Sequence, residues 1–305
     1  MRILVTGASG FIGSHMAKGL ANDGHEVMGC ARTGCGIAGV ELRSVNLLDY
    51  GAVQGLLSSV RPDAVVHCAG CANVGKSVED PVGDFQGNVT ATQNLLFSLN
   101  GLGLNSTRVL FLSSAGVYGN PAALPITEEA ELAPLSPYAL HKGMSELACR
   151  FMVDNHGMDV RVARIFSAYG PGLRKQLFWD MFKKAKTLGR LPMWGTGRET
   201  RDYIYIDDLV AALKLVLFDE NSPSKVFNVA NGVEVSIADA ARCFASAMGI
   251  DESLIEFNGA EREGDPINWR ANVSRLEGLG YAPTVSIEDG VDRYVEWALE
   301  ECDEK

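Results

Sequence analysis

The chain has 305 residues, of which 47% are hydrophobic and 21% charged, and its 27 Lys and Arg against 38 Asp and Glu give a formal net charge of −11. This composition describes a globular protein and excludes a disordered one. The acidity argues against a nucleic-acid partner, because phosphate backbones are bound mainly by Lys and Arg. At roughly 150 residues per domain, the length allows one large domain or two ordinary ones.

The sequence favours a cytoplasmic protein with no membrane partner. The first residues run directly into a strand-like segment, without the charged and apolar regions of a signal peptide. The most apolar later stretch, residues 209–218, is about half a membrane span. The seven cysteines are odd in number and scattered, so we do not expect a disulfide framework.

Short β-branched runs alternate with helix-period segments in the first half of the chain. Strands are predicted over Arg2–Thr6, Glu26–Cys30, Ala64–His67, Arg108–Leu112 and Val160–Ile165. Helices are predicted between them over Phe11–Asn22, Tyr50–Val60, Val82–Leu99 and Ser136–Asn155. Strands joined by helices pair in parallel, so the pattern predicts an α/β fold with a Rossmann-type doubly wound parallel sheet.

The second half is less regular. Helices are predicted over 178–188, 206–218, 237–248 and 285–300, with Gly and Pro clusters between them. We therefore predict a first domain over 1–166 and a smaller mixed α/β domain over 167–305, segments of which return to the first.

A glycine-rich segment lies directly after the first strand and opens the first helix. Its sequence is Gly7-Ala8-Ser9-Gly10-Phe11-Ile12-Gly13. Glycines at such a junction permit a sharp turn and close approach to a pyrophosphate, and the helix N-terminus adds a partial positive charge. The segment predicts dinucleotide binding by the first domain, at Gly7, Ser9, Gly10, Phe11, Ile12 and Gly13.

The end of the second strand indicates which dinucleotide is bound. An acidic residue at this point usually binds the adenosine ribose, but here Cys30 is followed by Ala31 and Arg32. A guanidinium can bind a 2′-phosphate, so Ala31 and Arg32 favour NADP(H) over NAD(H). The alternative is that Arg32 simply points into solvent.

Two groups of residues predict a catalytic site. Tyr138 and Lys142 are four residues apart and share one helix face, where a lysine could lower the pKa of the tyrosine, aided by an oxidised nicotinamide. Ser113 and Ser114 end a strand, where open α/β sheets bind their ligands. Ordinary surface or turn-capping roles are the alternatives.

Taken together, these motifs resemble the extended short-chain dehydrogenases/reductases, the NAD-dependent epimerase/dehydratase family. The resemblance covers essentially the whole chain and extends through Asn88-Val89, Gly170-Pro171-Gly172, Arg201–Asp208 and Arg262–Asp265. It implies a nucleoside-diphosphate sugar as substrate, a substrate-binding second domain and a homodimer. The implied catalytic residues are Ser114, Tyr138 and Lys142. Further cofactor contacts are implied at Asn46, Leu47 and Ala69, besides Tyr138 and Lys142. Substrate contacts are implied at Ser167, Arg201 and Arg262, besides Ser114 and Tyr138.

Three departures from the family pattern concern the reaction and the ligand contacts. Dehydratases of the family have acidic residues after the catalytic hydroxyl, whereas Ala115 and Gly116 follow it here, so dehydration is disfavoured. Ser167 replaces an asparagine that contacts substrate phosphate, and Asn46 replaces an adenine-contacting aspartate.

With dehydration disfavoured, hydride transfer at sugar C4 remains as the reaction that we expect. We expect a 4-keto-sugar reductase, with a 4-epimerase that retains its cofactor as the alternative. A non-catalytic NADP-sensing regulator of the same fold is a third possibility, although it would typically have lost Tyr138 or Lys142.

No metal site is expected. Cys68 and Cys71 form a C-x-x-C pair, but no second Cys or His pair completes a zinc site. The histidines show no metal-binding spacing. His141, inside the Tyr138 helix, either contributes to the site or, as we expect, faces solvent.

Overall fold

The computed structural model describes residues 1–33, 36–37, 39–222, 225–260 and 267–303. Its strands are β1 (Arg2–Thr6), β2 (Glu26–Ala31), β3 (Glu41–Ser44), β4 (Ala64–His67), β5 (Arg108–Ser114), β6 (Val160–Ile165), β7 (Ser167–Tyr169), β8 (Leu191–Met193), β9 (Thr200–Arg201), β10 (Tyr203–Tyr205), β11 (Val226–Val229), β12 (Val235–Ser236) and β13 (Ile255–Phe257). Its α-helices are α1 (Phe11–Asn22), α2 (Tyr50–Val60), α3 (Val74–Glu79), α4 (Pro81–Phe85), α5 (Ala91–Gly101), α6 (Pro137–His156), α7 (Gln176–Leu188), α8 (Ile206–Phe218), α9 (Ile237–Met248), α10 (Ser274–Glu277) and α11 (Ile287–Asp303).

Seven parallel strands form the main sheet in the order β11-β6-β5-β4-β1-β2-β3. This order reverses between β1 and β4, as in doubly wound dinucleotide-binding folds, so the Rossmann-type prediction is confirmed. Side chains of β1 alternate between the two faces: Ile3 and Val5 pack into one buried cluster, and Leu4 packs into the other. Helices therefore cover both sides of the sheet.

The second half of the chain contributes to this sheet as well. Strand β11 pairs with β6 at the sheet edge, while three short two-stranded sheets, β7 with β10, β9 with β12 and β8 with β13, lie outside it. The proposed boundary between residues 166 and 167 stays a prediction.

The predicted single helix over 82–99 is wrong. The segment instead comprises α4, a π-helical turn over Gln86–Thr90, and α5. A π-turn inserts one extra residue per turn and rotates the side chains that follow it, and such turns are frequent at functional sites. The turn brings Asn88 into the interior, where it is 1% exposed.

Two helix starts matter for the site. Helix α6 begins after Ser136, whose hydroxyl accepts a hydrogen bond from the Ala139 amide, and proline occupies its first position. Helix α1 begins at Phe11 with no side-chain cap and no acidic residue in its first turn.

Of the helices among the described residues, none has the length and apolarity that a membrane crossing requires.

Candidate active site

The glycine segment forms the turn between β1 and α1. Gly7 has φ of +65°, and a Cβ there would lie 2.7 Å from the Ala69 backbone nitrogen, so only glycine fits. A Cβ on Gly13 would collide with the Gly7 carbonyl oxygen. The Gly7 carbonyl accepts a hydrogen bond from the Gly10 amide at 2.9 Å. This close packing directs the uncapped N-terminus of α1, with Ser9 and Gly10 exposed, toward the carboxyl ends of the strands.

The end of β2 lies beside this turn. The Ala8 amide donates to the Cys30 carbonyl at 3.2 Å, Ala31 is buried, and Arg32 is exposed. The Ser44 hydroxyl donates to the Arg32 carbonyl at 3.0 Å. Arg32 therefore follows β2 directly, close in the chain to the strand end that meets the glycine turn, with its side chain exposed and no carboxylate at the end of the strand.

Asn46 and Leu47 follow β3 on the same edge of the sheet. The Asn46 amide oxygen accepts a hydrogen bond from the Leu48 amide at 3.1 Å, so one of its acceptor positions is already used. Leu47 is buried, and its carbonyl accepts from the Asn94 side chain at 2.9 Å. Two further predicted cofactor contacts, Phe11 and Ile12, are half-buried at the start of α1. A third, Ala69, follows β4, and its amide donates to the Thr6 hydroxyl at 3.2 Å.

Ser114, Tyr138 and Lys142 lie together at the carboxyl end of β5. Ser114 is the last residue of that strand, and its hydroxyl is hydrogen-bonded to the hydroxyl of Tyr138. The Lys142 ammonium donates to the Leu112 carbonyl of the same strand at 2.9 Å. Burial lowers the pKa of Lys142 to about 8. The arrangement unites a proton-bearing phenol, a supporting hydroxyl and a buried cation.

Burial dominates the pKa of Tyr138 in the protein without a cofactor. Burial raises it above its usual value, Asp84 and Cys71 raise it further, and the hydrogen bond from Ser114 opposes the rise. In the protein without a cofactor Tyr138 is therefore a phenol that can donate a proton. The lowering of its pKa by Lys142 together with an oxidised nicotinamide stays a prediction.

Asn88 and Gly70 adjoin Lys142. A Cβ on Gly70 would lie 2.6 Å from Oδ1 of Asn88 and 3.3 Å from Nζ of Lys142. Oδ1 of Asn88 is buried without a hydrogen-bond partner. A buried amide oxygen beside an ammonium is suited to hold a water or a ligand hydroxyl.

His67 connects the glycine turn to the π-turn. Its Nε2 lies 3.1 Å from the Thr92 hydroxyl, which itself donates to the Asn88 carbonyl at 2.6 Å. Nε2 therefore bears the proton, and Nδ1 accepts from the Thr6 hydroxyl at 2.7 Å. Burial, reinforced by Lys142, lowers the pKa of His67 to about 3, so this ring is neutral.

The expectation that His141 faces solvent is wrong. Its ring is 9% exposed, and Nδ1 lies 2.7 Å from Oδ2 of Asp84, which is 3% exposed. The contact joins α6 to α4, so it depends on helix packing between residues 57 positions apart. Sequence spacing gave no signal for it.

The proposed phosphate contacts lie on neighbouring short strands. The Ser167 amide donates to the Asp202 carbonyl at 2.9 Å, which places Ser167 next to Arg201. The Arg201 guanidinium lies 5.7 Å from the Trp269 ring and donates to the Thr200 carbonyl at 2.8 Å. Trp269 in turn donates to the carbonyl of Gly119, beyond Ser114, at 3.0 Å. Arg262 lies outside the described residues.

The cysteine pair after β4 is near Lys142, whose charge acts on Cys68. Cys68 and Cys71 are both half-buried, and burial raises the pKa of Cys68 to about 12. Within the described part of the chain, no group of three or more His, Cys, Asp or Glu side chains could hold a metal ion.

Comparisons with known proteins agree with this geometry. The UDP-glucose 4-epimerase of Mycolicibacterium smegmatis is 32% identical, with 97% of this chain and 98% of that protein covered. UDP-glucuronic acid decarboxylase 1 of Xenopus tropicalis is 29% identical, with 99% of this chain and 73% of that protein covered.

Solved structures show the same relationship. The UDP-glucose 4-epimerase of Thermotoga maritima with UDP-glucose superimposes with a TM-score of 0.90 at 27% identity, covering 99% of this chain and 100% of that one. DesIV, the dTDP-glucose 4,6-dehydratase of Streptomyces venezuelae, solved with NAD and DAU bound, gives 0.90 at 28% identity, covering 99% and 98%.

The fold and the site define an extended short-chain dehydrogenase/reductase. Within this class, the chain belongs to the NAD dependent epimerase/dehydratase family, whose model matches residues 3–230.

Proposed function

We propose that this protein transfers a hydride at C4 of a nucleoside-diphosphate sugar. The observation that carries the proposal is the convergence of Ser114, Tyr138 and Lys142 at the carboxyl end of β5. Ala115 and Gly116, which follow the Ser114 hydroxyl, offer no acid or base for elimination of water. Hydride exchange needs only a proton donor or acceptor at the C4 oxygen, which this group supplies.

Each residue has a defined role in this proposal. A dinucleotide whose pyrophosphate is held at Gly7–Gly13 would supply or accept the hydride through its nicotinamide. Tyr138 gives a proton to the C4 oxygen in reduction or removes one in oxidation, and the Ser114 hydroxyl holds that oxygen by a hydrogen bond. Lys142 provides positive charge that favours the phenolate once the proton has left. Ser167, Arg201 and Arg262 are the proposed contacts of the substrate phosphates.

The cofactor proposed is NADP(H) in preference to NAD(H). Its support is the exposed Arg32 at the rim of the glycine turn and the absence of a carboxylate at the end of β2. NAD is bound in similar structures, among them that of DesIV and that of the UDP-glucose 4-epimerase of Thermus thermophilus. Titration of both cofactors, with Arg32→Ala alongside, tests the preference: tighter binding of NAD(H) by the wild-type protein would contradict it.

The cofactor end of the site supports a 4-keto-sugar reductase, because a reductase consumes NADPH and Ala31 and Arg32 favour that cofactor. The second candidate is a 4-epimerase, favoured by the relatives that bear that name. Both reactions use the same residues. They differ in the cofactor: a reductase releases it oxidised, whereas an epimerase regenerates it within each turnover.

One experiment separates the two. The protein is incubated with NADPH and a panel of nucleotide sugars and their 4-keto-6-deoxy derivatives, while NADPH absorbance and product stereochemistry are followed. Stoichiometric loss of NADPH with a 4-keto sugar supports the reductase. Interconversion of C4 epimers without net loss of NADPH supports the epimerase, and no reaction with any member of the panel would count against the proposal.

We also propose a homodimer formed through α6 and its neighbour α5. Four apolar residues at helical spacing line the outer face of α6: Leu140, Met144, Leu147 and Phe151, exposed by 49%, 37%, 67% and 47%. Phe97 of α5 is 40% exposed and packs 6.5 Å from the Phe151 ring. Such a stripe along a 20-residue helix suits a second copy of itself related by a two-fold axis.

A further inference from the structure

Tyr138 lies in the first turn of α6, where backbone N–H groups have no partner within the helix. Pro137, the first residue of the helix, has no N–H group, and the Ala139 amide donates to the Ser136 hydroxyl at 3.3 Å. The Leu140 amide donates to the Ser136 carbonyl at 2.9 Å. The Tyr138 amide therefore needs a partner from outside α6 and its cap.

Ser77 of α3 supplies this partner. Its hydroxyl accepts a hydrogen bond from the Tyr138 amide at 3.1 Å and donates one to the Val74 carbonyl at 2.7 Å. Because the hydroxyl proton is used on Val74, a lone pair of the oxygen is left to face the Tyr138 amide. Ser77 is 1% exposed and lies 61 residues from Tyr138 in the chain, so the contact depends on the packing of α3 against α6. The proposed reaction gives Ser77 no role.

The segment that carries Ser77 also reaches Lys142. A Cβ on Gly70, near the start of this segment, would lie 3.3 Å from Nζ of Lys142. The Asn73 side chain caps α3, and the Ser77 amide donates to the Asn73 carbonyl at 3.0 Å. The chain between Gly70 and Ser77 thus adjoins Lys142 at one end and Tyr138 at the other, and the capped helix gives Ser77 a fixed position.

We propose that Ser77 is a positioning residue, whose hydroxyl holds the backbone of Tyr138 so that the phenol meets the Ser114 hydroxyl. A residue in the first turn moves when that turn frays, whereas Lys142, a full turn later, is held by the hydrogen bonds of the helix itself. The catalytic role of Tyr138 rests on the proposed function; the contact that holds Tyr138 does not. The alternative is that Ser77 only stabilises α6, as any helix cap does.

The first test observes the Tyr138 hydroxyl by NMR, without substrate. The protein is labelled with tyrosine carrying ¹³C at Cζ, and the Tyr138 signal is assigned by its loss in Tyr138→Phe. Ser114→Ala gives the position of this signal when the hydrogen bond between the two hydroxyls is missing. In Ser77→Ala we expect the signal to move toward that position, because the Tyr138 amide has lost the oxygen that holds it.

Ser136→Ala is the matched control. It removes a capping hydroxyl from the same helix turn but leaves the contact between Ser77 and Tyr138 and the backbone bond between Leu140 and Ser136. The Tyr138 signal should therefore stay at its wild-type position. An unmoved signal in Ser77→Ala, or equal movement in Ser77→Ala and Ser136→Ala, would overturn the proposal in favour of a general stabilisation of α6.

Hydrogen exchange of two amides gives a second readout without substrate. Ser77→Ala should speed exchange of the Tyr138 amide by about tenfold or more and leave the Ala139 amide unchanged, and Ser136→Ala should do the reverse. Equal acceleration of both amides in Ser77→Ala would show that the whole turn has opened, which refutes a specific role of Ser77. If Ser77→Ala folds poorly, the wild-type protein decides: exchange of its Tyr138 amide at the rate of an unprotected amide would show that Ser77 does not hold it.

A kinetic readout applies once a substrate is known. Ser77→Ala should lower kcat by about tenfold or more while KM changes by no more than a few-fold, because proton transfer depends most on the placement of the phenol. Ser136→Ala should keep a kcat near that of the wild-type protein. A normal kcat in Ser77→Ala, or an equal loss in the two variants, would contradict the proposal. If no nucleotide sugar reacts, the proposed function fails while the Tyr138 signal and the amide exchange still report on Ser77.

Discussion

Tyr138 is the residue on which the proposed chemistry depends most directly. Phenylalanine at this position keeps the ring and removes only the hydroxyl that contacts Ser114. We expect Tyr138→Phe to lower kcat by about a hundredfold or more while cofactor affinity stays within a few-fold of wild type. Steady-state kinetics and cofactor fluorescence titration measure the two effects. Tyr50→Phe, at an exposed tyrosine on α2, is the control, and near-normal kcat in Tyr138→Phe would refute the assignment.

His67 makes stability depend on pH. Its pKa is lowered to about 3 in the folded protein, against an ordinary 6.5, so unfolding takes up a proton as the pH falls below about 6.5. The stability it contributes is present above that pH and is lost progressively toward pH 3. Between pH 7 and pH 5 the wild-type protein should lose about 2 kcal/mol more unfolding free energy than His67→Asn. Urea denaturation at both pH values measures this, and equal pH dependence of the two proteins would contradict it.

The sequence predicts some of these residues and misses others for a physical reason. Tyr138 and Lys142 share a face because of helix geometry alone, and Ser114 follows from the strand before it. Asp84 and His141 meet only after α4 and α6 have packed. The direction of the Tyr138 pKa likewise depends on burial, which a spacing of residues does not reveal.

Three strands and four helices have the bounds that the sequence predicts, and the helices are α1, α2, α8 and α9. β1, β4 and β6 have the predicted bounds because their β-branched runs are buried on both faces. β3 was missed because Glu41–Ser44 is a half-exposed edge strand with two charged residues. The π-turn was missed because its apolar spacing resembles that of a continuous helix, and the extra residue is inserted to bury Asn88.

A buried ionic network fixes the catalytic helix against the sheet. Arg164 of β6 donates hydrogen bonds to both oxygens of Glu146 on α6, and the Ser113 hydroxyl of β5 donates to Glu146 at 2.5 Å. Arg164 also donates to the Tyr118 hydroxyl at 2.9 Å. The network therefore sets the position of Tyr138 and Lys142 relative to Ser114, one helix against two strands.

Breaking this network from one side should be costly. Arg164→Met leaves the Glu146 carboxylate, 8% exposed, without its cation, so we expect the unfolding free energy to fall by about 3–5 kcal/mol. Arg190→Met is the control, because the Arg190–Glu256 pair is about half exposed on both sides and should cost less than about 1 kcal/mol. Urea denaturation measures both values. A similar loss of unfolding free energy in the two variants would show that the buried pair stabilises the protein no more than the exposed pair.

At the scale of the whole molecule, the net charge of −11 excludes a polyanion-binding surface but not a phosphate-binding cleft. Pyrophosphates of a cofactor and a nucleotide sugar need only local donors. The donors proposed are the uncapped N-terminus of α1, Arg32 and Arg201 among the described residues, with Arg262 as a further one expected from the sequence. Overall acidity and local binding of anions are thus compatible, because the donors are few and lie at strand ends.

The apolar stripe on α6 predicts that the protein self-associates through this helix. Leu147, 67% exposed, lies within this stripe between Met144 and Phe151. Leu147→Glu would place a charge in an apolar interface, so we expect it to weaken self-association by about a hundredfold or more without unfolding the chain. Leu188→Glu is the control, since Leu188 is 55% exposed at the end of α7, outside the stripe. Sedimentation velocity at several concentrations should give a dimer for the wild-type protein and Leu188→Glu, and a monomer for Leu147→Glu. A monomeric wild-type protein, or equal sedimentation of the two variants, would show that α6 does not form the interface.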